Sequence, residues 1–374
     1  MIEELFGNIL NLQWQQVVMW AIGGLLIWLA IKKQMEPSLL LPMGFGAILV
    51  NLPMSGAVTQ IIDGVEEVGP IDVLFNAGIA NELFPLLLFV GIGAMIDFTP
   101  LLSNPKMMIF GAAAQFGIFF TLCVATLMGF EVKDAASIGI IGAADGPTSI
   151  VVANMFQSNY LGAIVVVAYS YMALVPIVQP RVIKLITTKH ERRIRMAYAD
   201  RQVSKLTRIL FPIIVMALAG LVAPRSVALI GFLMFGNLIR ECGVLDGLSD
   251  TAQKDLANLI TLFLGLTVAT KMQAASFLTP QTLMIMVLGL VAFVFDTVGG
   301  VMVAKVYNLF AKTKINPMIG AAGISAFPMS ARVINKMGLE EDNQNFLLMH
   351  AVGINVSGQI ASVIAGGMIM TLFA

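Results

Sequence analysis

Charge is scarce in this chain. Only 12% of its 374 residues are Asp, Glu, Lys or Arg, the two signs balance at 22 each, and 58% of residues are hydrophobic, with a mean hydropathy of +0.89. So few charges cannot dress a water-soluble surface, which excludes the soluble globular classes and leaves an all-α polytopic membrane protein in a lipid bilayer. Cysteine and histidine are nearly missing as well, with Cys123, Cys242, His190 and His350 the whole supply. Neither a disulfide framework nor a zinc site can be assembled from them. No stretch interleaves basic and aromatic residues as a nucleic-acid surface does. The N-terminus has Glu3 and Glu4 but no basic segment and no small-residue cleavage site, so it does not read as a secretory signal and the first span is expected to stay.

Apolar runs able to cross a hydrocarbon core of about 30 Å, some only with tilt and flanking residues, occur at ten places. They lie at roughly 14 to 31, 37 to 53, 83 to 98, 107 to 130, 159 to 179, 208 to 223, 226 to 240, 256 to 276, 282 to 304 and 345 to 373. Two further segments, about 135–155 and 316–335, carry too much Gly, Pro and polar content to face lipid and read as re-entrant hairpins. Positive charge orients the count. The stretch 181 to 208 holds nine Lys and Arg against Glu191 and Asp200, which marks it cytoplasmic. Parity then puts the acidic loop 53 to 82, with Asp63, Glu66, Glu67, Asp72 and Glu82, outside. It puts Lys32, Lys33, Lys106, Lys254, Lys305, Lys312, Lys314 and Lys336 inside, and both termini extracytoplasmic.

The chain is self-similar. Leu87-Leu88-Phe89-Val90-Gly91-Ile92-Gly93 answers Thr261-Leu262-Phe263-Leu264-Gly265-Leu266-Thr267, Phe98-Thr99-Pro100 answers Leu278-Thr279-Pro280, and the two broken segments correspond, at offsets of 174 to 181. The expected architecture is therefore two inverted repeats, each of five transmembrane helices plus one hairpin: 1–180, a basic linker 181–207, and 208–374. An odd number of crossings inverts the second copy, the plan of ion-coupled transporters whose site lies where the two breaks meet.

Asp145 stands out, a carboxylate in Gly142-Ala143-Ala144-Asp145-Gly146-Pro147-Thr148-Ser149 within an apolar setting. An ionisable group at membrane depth is tolerated only with a partner, an ion or water. The plainest alternative is a cap bonded to local backbone amides; a cation ligand fits the setting better. Na⁺ wants several oxygens, and Thr148, Ser149, Asn316, Ser325, Asn355 and Ser357 offer neutral ones. Arg332, at the end of the second broken segment, is either a positive-inside anchor or a bidentate receptor for a carboxylate. Tyr171 is either a packing aromatic or a proton relay. Asp97 and Lys271 occupy corresponding repeat positions, but inversion sends them to opposite faces and a direct pair is not expected. Glu241 beside Arg240 reads as a cytoplasmic-edge pair.

Several long motifs in one order, Gly142-Ala143-Ala144-Asp145-Gly146-Pro147-Thr148, Ala168-Tyr169-Ser170-Tyr171-Met172, and Asn316-Pro317 with Ile324-Ser325-Ala326-Phe327-Pro328-Met329-Ser330-Ala331-Arg332, resemble the membrane β subunit of the sodium-pumping biotin-dependent decarboxylases of bacteria. Leu83-Phe84-Pro85 and Gly91-Ile92-Gly93-Ala94-Met95-Ile96-Asp97-Phe98 extend the resemblance over essentially the whole chain; Phe327 departs from it, being larger than the residue expected there. The resemblance implies decarboxylation of carboxybiotin, with proton consumption, coupled to Na⁺ export across the cytoplasmic membrane. It implies Asp145, Asn316, Asn355 and Ser325 as Na⁺ ligands, Tyr171, Ser325 and Arg332 in the chemistry, and Arg332 with Gly320 at the carboxybiotin site. It further implies elevator-type motion, a homotrimer, and partners comprising a soluble carboxyltransferase subunit, a biotin-bearing subunit and a small membrane subunit of γ/δ type. A secondary Na⁺/organic-acid symporter is the alternative, and a channel a weaker one.

Overall fold

The computed structural model describes residues 12–62, 64–197 and 202–373. Glu3, Glu4, Asp63, Asp200 and Arg201 therefore lie outside the described residues. A helix forms at each of the ten apolar runs, and all but a short β-ribbon of the regular structure is helical.

Proline and small polar residues set the helix starts. Pro37, Pro70 and Pro280 occupy first turns, where a missing N–H costs nothing, and the hydroxyls of Ser204 and Thr279 accept from the N–H groups of Thr207 and Thr282 at 3.1 and 3.2 Å. Five helical stretches are individually long and apolar enough to cross a membrane: Trp14–Lys33, Pro105–Leu127, Lys205–Val222, Pro280–Phe310 and Leu348–Phe373. Two bent pairs, Pro70–Gly78 with Leu83–Met95 and Leu161–Met172 with Leu174–Ile186, raise the number to seven. That is fewer than the ten expected runs. Pro37–Val50, Val227–Cys242 and Ala257–Val268 are shorter than the ~20 residues a straight helical crossing takes, because turns or 3₁₀ and π segments interrupt their ends.

Two differences from the sequence reading are local. The acidic loop 53 to 82 contains an antiparallel ribbon, Gln60–Ile62 with Val65–Glu67. The run 107 to 130 is split at Ala114-Gln115 into Met108–Ala113 and Phe116–Leu127.

The helices pack as two groups, each drawing on both halves of the chain. Trp14–Lys33, Pro37–Val50, Leu83–Met95, Val227–Cys242 and Ala257–Val268 pack mainly on one another. Phe116–Leu127, Leu161–Ile186, Pro280–Phe310 and Leu348–Phe373 enclose the broken segments. In the second group Gly300 and Gly320 meet backbone to backbone, so that a Cβ on either would strike the other's carbonyl oxygen. Small residues at such crossings let membrane helices approach closely. Segments that the charge pattern assigns to the inner face meet at one end of the bundle: Arg192 pairs with Glu341 at 2.6 Å, Lys305 with Glu191 at 3.1 Å, and Arg208 with Glu241 at 3.3 Å.

Candidate functional site

The first broken segment runs Val132–Gly139, a 3₁₀ turn Ile140–Ala143, and Gly146–Met155. Ala144 turns the chain with φ +52°, a left-handed conformation costing an L-residue roughly 1–2 kcal/mol, which a small side chain tolerates best. Asp145 follows as the cap of Gly146–Met155. Its Oδ1 accepts from the Thr148 N–H at 3.3 Å and its Oδ2 from the Thr148 hydroxyl at 2.8 Å. The final helix supplies the rest: the Ser362 hydroxyl and the Gln359 amide donate to Oδ2 at 2.8 and 3.2 Å. The local cap of the sequence reading is thus present, but a remote helix completes it. Asp145 is 3% exposed, and each of these donors is neutral.

The second broken segment, the 3₁₀ stretch Pro317–Gly323 leading to Met329–Glu341, meets the first at its tip. The Ser325 N–H donates to the Ala143 carbonyl at 2.9 Å, and the Ser325 hydroxyl to the Gly358 carbonyl at 3.1 Å. Asn355 donates through Nδ2 to the Ile324 carbonyl at 2.6 Å and leaves its buried Oδ1 without a hydrogen bond. Gln115, at the split of its helix, donates to the carbonyls of Gly111 and Gly323 and likewise has an unbonded buried Oε1. Asp145, Ser325 and Asn355 therefore share one buried region.

Hard cations are held by such oxygens. Thr148, Ser325 and Ser362 can rotate their hydroxyl hydrogens away and present lone pairs, and a half-turn of the Gln359 amide does the same with its carbonyl. Among the described residues no group of three His, Cys, Asp or Glu side chains stands together as a metal cluster. One carboxylate among neutral oxygens suits a monovalent ion.

Other expected site residues lie elsewhere. Asn316 caps Pro317–Gly323, accepting from the Met318 N–H at 3.1 Å, and its amide donates to the Arg192 and Ile194 carbonyls of the basic linker at 2.8 and 3.0 Å. Tyr171 donates to the Met286 carbonyl on Pro280–Phe310. Arg332 is exposed, in an open groove of about 410 Å³ with Asn335, Lys336, Leu339, Glu340 and Leu348. Gly320 is the close-contact partner of Gly300. Asp97 accepts locally from the Thr99 N–H at 2.8 Å and the Lys271 ammonium sits 4.7 Å from the Phe75 ring centre, so the two do not pair. Ser357 is spent on the Ile354 carbonyl at 2.7 Å, and Ser149 on the carbonyl of Asp145 at 2.9 Å.

Sequence reasoning missed Gln359, Ser362, Gln115 and Tyr169. The first two were legible, since 355, 359 and 362 fall on one face of an α-helix. Tyr169 packs its ring on Gly146, where any Cβ would collide with it, and its buried hydroxyl has no hydrogen-bond partner.

Comparison with known proteins identifies the family. Residues 15–373 match the family model described as the Na⁺-transporting oxaloacetate decarboxylase beta subunit. The chain is 46% identical to a probable oxaloacetate decarboxylase beta chain of Vibrio cholerae, over 98% of this chain and 96% of that one. It is 48% identical to the glutaconyl-CoA decarboxylase subunit beta of Acidaminococcus fermentans, over 96% and 93%. It is 46% identical to the methylmalonyl-CoA decarboxylase subunit beta of Propionigenium modestum, over 96% and 94%. A family match along nearly the whole chain, with relatives at this identity and coverage, means that the chain belongs to the beta-subunit family of Na⁺-transporting decarboxylases.

Proposed function

We propose that this chain decarboxylates carboxybiotin delivered by a partner subunit and uses the reaction to export Na⁺ across a bacterial cytoplasmic membrane. The observation that carries the reading is Asp145, buried against the tip of the second broken segment with only neutral donors around it. In this reading Asp145, Thr148, Ser325 and Asn355 hold Na⁺, with Gln359 and Ser362 added to the set. Asn316 acts one step removed, fixing the base of its segment on the linker.

Arg332 receives the carboxylate of carboxybiotin in its open groove, where the guanidinium fork matches that shape. Gly320 lets the segment that leads to this groove lie against the long helix. The bond from the ureido nitrogen to the carboxylate carbon breaks, CO₂ leaves, and the nitrogen takes up one proton. Withdrawing the carboxylate from water favours this loss, and Tyr171 and Ser325 are the hydroxyls assigned to the chemistry. Proton and Na⁺ exclude one another at the Asp145 region, each weakening the other by the same free energy, so that proton entry drives Na⁺ out. The interleaving of both chain halves in each helix group supports inverted repeats and relative movement of the groups. The carboxyltransferase and biotin-bearing subunits, a small membrane subunit and a homotrimer complete the proposed assembly, with both termini outside.

Decarboxylation of free carboxybiotin by the assembled complex, with and without Na⁺, tests this reading in the parent and in Asp145→Asn. The expected result is Na⁺-stimulated CO₂ release in the parent that falls by at least about tenfold in the variant. A folded, assembled parent without turnover that instead takes up an organic acid with Na⁺ would be a symporter.

A further inference from the structure

Asp296 sits midway along Pro280–Phe310 and is fully buried. Its two oxygens have opposite surroundings. Oδ1 accepts from the N–H groups of Gly117 and Ile118, the latter at 3.2 Å, which open the helix after the split at Ala114-Gln115. Both belong to the first turn of that helix, at the positive end of its dipole, and the Ile118 N–H is shared with the Gln115 carbonyl at 3.2 Å. Oδ2 is buried and has no hydrogen-bond partner among the described residues. It faces Gly142 of the first broken segment so closely that a Cβ built there would lie 2.6 Å from it.

Among the described residues no cation pairs with this group, and Lys305 on its own helix is bonded to Glu191. Of the elements packed on its helix, Phe116–Leu127 brings the exposed Cys123, and Val132–Gly139 brings the exposed Lys133 and the buried Asp134, which is bonded to Ser158. Leu161–Ile186 brings Tyr171, bonded to Met286, Tyr169 against Gly146, and the exposed Arg181 and Lys184. Met108–Ala113, Ile140–Ala143 and Pro317–Gly323 bring no titratable group. Asp145 lies three residues beyond Gly142 and is itself acidic.

We propose that Asp296 is a second intramembrane site whose ligand is a proton, carried on Oδ2 while Gly142 packs against it and exchanged when the Ile140–Ala143 segment moves away. A buried carboxylate without a counter-ion is far costlier than the neutral acid. Na⁺ does not fit the closed site, since it wants several oxygens and Oδ1 is already committed to two N–H groups. The acid is not locked neutral either. The helix start at Oδ1 supports a negative charge once water reaches Oδ2, and release is simply COOH to COO⁻ plus H⁺ into that water. Because Ala143 is also the residue bonded to Ser325, the segment that covers Asp296 is the one that joins the two breaks beside Asp145. Its place in a pumping cycle rests on the Na⁺-pump reading; the occupancy by a proton does not.

Isotope-edited infrared spectroscopy of the assembled complex carrying ¹³C-labelled aspartate separates the two. In the parent at neutral pH without turnover, a protonated-carboxyl carbonyl band is expected that persists in Asp145→Asn and is missing in Asp296→Asn, whose amide keeps the shape and the Oδ1 contacts. It should remain when saturating Na⁺ is added. Parent and Asp296→Asn spectra that coincide in this region, or a band bleached by Na⁺ in the Asp145→Asn background, would overturn the proposal. Should Asp296→Asn not assemble, the band left in Asp145→Asn decides the same question once Asp134, the other aspartate buried among the described residues, is also replaced by Asn: its persistence supports the proposal and its loss overturns it. In the rate assay, Asp296→Asn is expected to move the alkaline limb of the pH profile upward, whereas a purely structural acceptor would leave it in place.

Discussion

Ser362 and Gly300 illustrate how differently single residues can matter. Ser362 contributes one hydroxyl to Asp145, across more than 200 positions of sequence. A hydrogen bond to a charged group is worth about 1.5–3 kcal/mol, so Ser362→Ala is expected to raise the Na⁺ concentration for half-maximal turnover by roughly tenfold or more, about 1.4 kcal/mol per decade, without loss of assembly. A Na⁺ titration of decarboxylation measures it, and an unchanged half-saturation removes Ser362 from the ion site. Gly300 acts through contact alone. Adding a methyl group there or at Gly320 drives it into the partner's carbonyl, and an overpacked close crossing costs about 1–3 kcal/mol. Gly300→Ala should therefore lower the midpoint of thermal unfolding in detergent, and a midpoint equal to the parent's would mean that the crossing relaxes freely. The residue scale was only partly legible. Asp145 declared itself as a carboxylate among apolar neighbours; Asp296 in Val294-Phe295-Asp296-Thr297 meets the same rule, and the sequence reading missed it. The anchoring of Asn316 had no signature, because its partners are the backbone carbonyls of Arg192 and Ile194, which carry no residue identity.

At the scale of elements, the basic linker is more than a topological marker. Thr188 and Glu191 cap one another, with the Glu191 N–H reaching the Thr188 hydroxyl at 3.2 Å and the Thr188 N–H reaching the Glu191 carboxylate at 2.6 Å. Arg195 grips Asp342 with two bonds of 2.6 and 2.9 Å, and Arg192 binds Glu341. The linker thereby straps Met329–Glu341, which carries Arg332, to the base of Pro317–Gly323. The Arg195 guanidinium, helped by the Gln344 N–H, holds the Asp342 carboxyl below its ordinary value. Burial pushes Glu191 up, but the Thr188 N–H and Lys305 outweigh it and leave its carboxyl below normal too. A depressed acid stabilises the folded contact fully above its ordinary value and loses that contribution as pH falls through the lowered one. The strap should thus hold at neutral pH and loosen below about pH 4. Hydrogen exchange of residues 188 to 197, corrected for intrinsic rates, should accelerate there, and at neutral pH in Asp342→Asn or at high salt. Equal protection in all of these conditions would show that packing, not charge, seats the linker. Charge density singled out this stretch as cytoplasmic; its docking depended on folded geometry that no local pattern encodes. The split at Ala114-Gln115 was hidden for a related reason, since an apolar run looks the same whether or not a remote carboxylate caps its middle.

For the whole molecule, the apolar runs and their Gly-, Pro- and polar-rich interruptions made the helices and the two breaks legible, whereas the division into two packing groups was not, because it cuts across chain order. The groups meet along a boundary where Leu83–Met95 lies against Gly146–Met155 and Val227–Cys242 against Leu348–Phe373. Beside it, Met155, closing Gly146–Met155, meets Arg225 in the turn before Val227–Cys242 at 3.7 Å, and Gly162 packs on Lys271 in the turn after Ala257–Val268. A pump must expose its ion site to each side in turn, and coupling between sites is carried by an element with two discrete arrangements. Packed interiors resist continuous deformation, so movement is expected at the boundary between the groups and not within either one. A reducible bifunctional thiol crosslinker joining cysteines placed at 155 and 225, in a background with Cys123 and Cys242 replaced, should abolish Na⁺ transport and restore it on reduction. The same crosslinker between cysteines placed at Phe84 and Phe263, whose rings stack at 5.7 Å inside the first group, should leave transport intact. Full transport with the 155–225 bridge closed would place the moving boundary elsewhere and require the two broken segments to gate within a fixed frame.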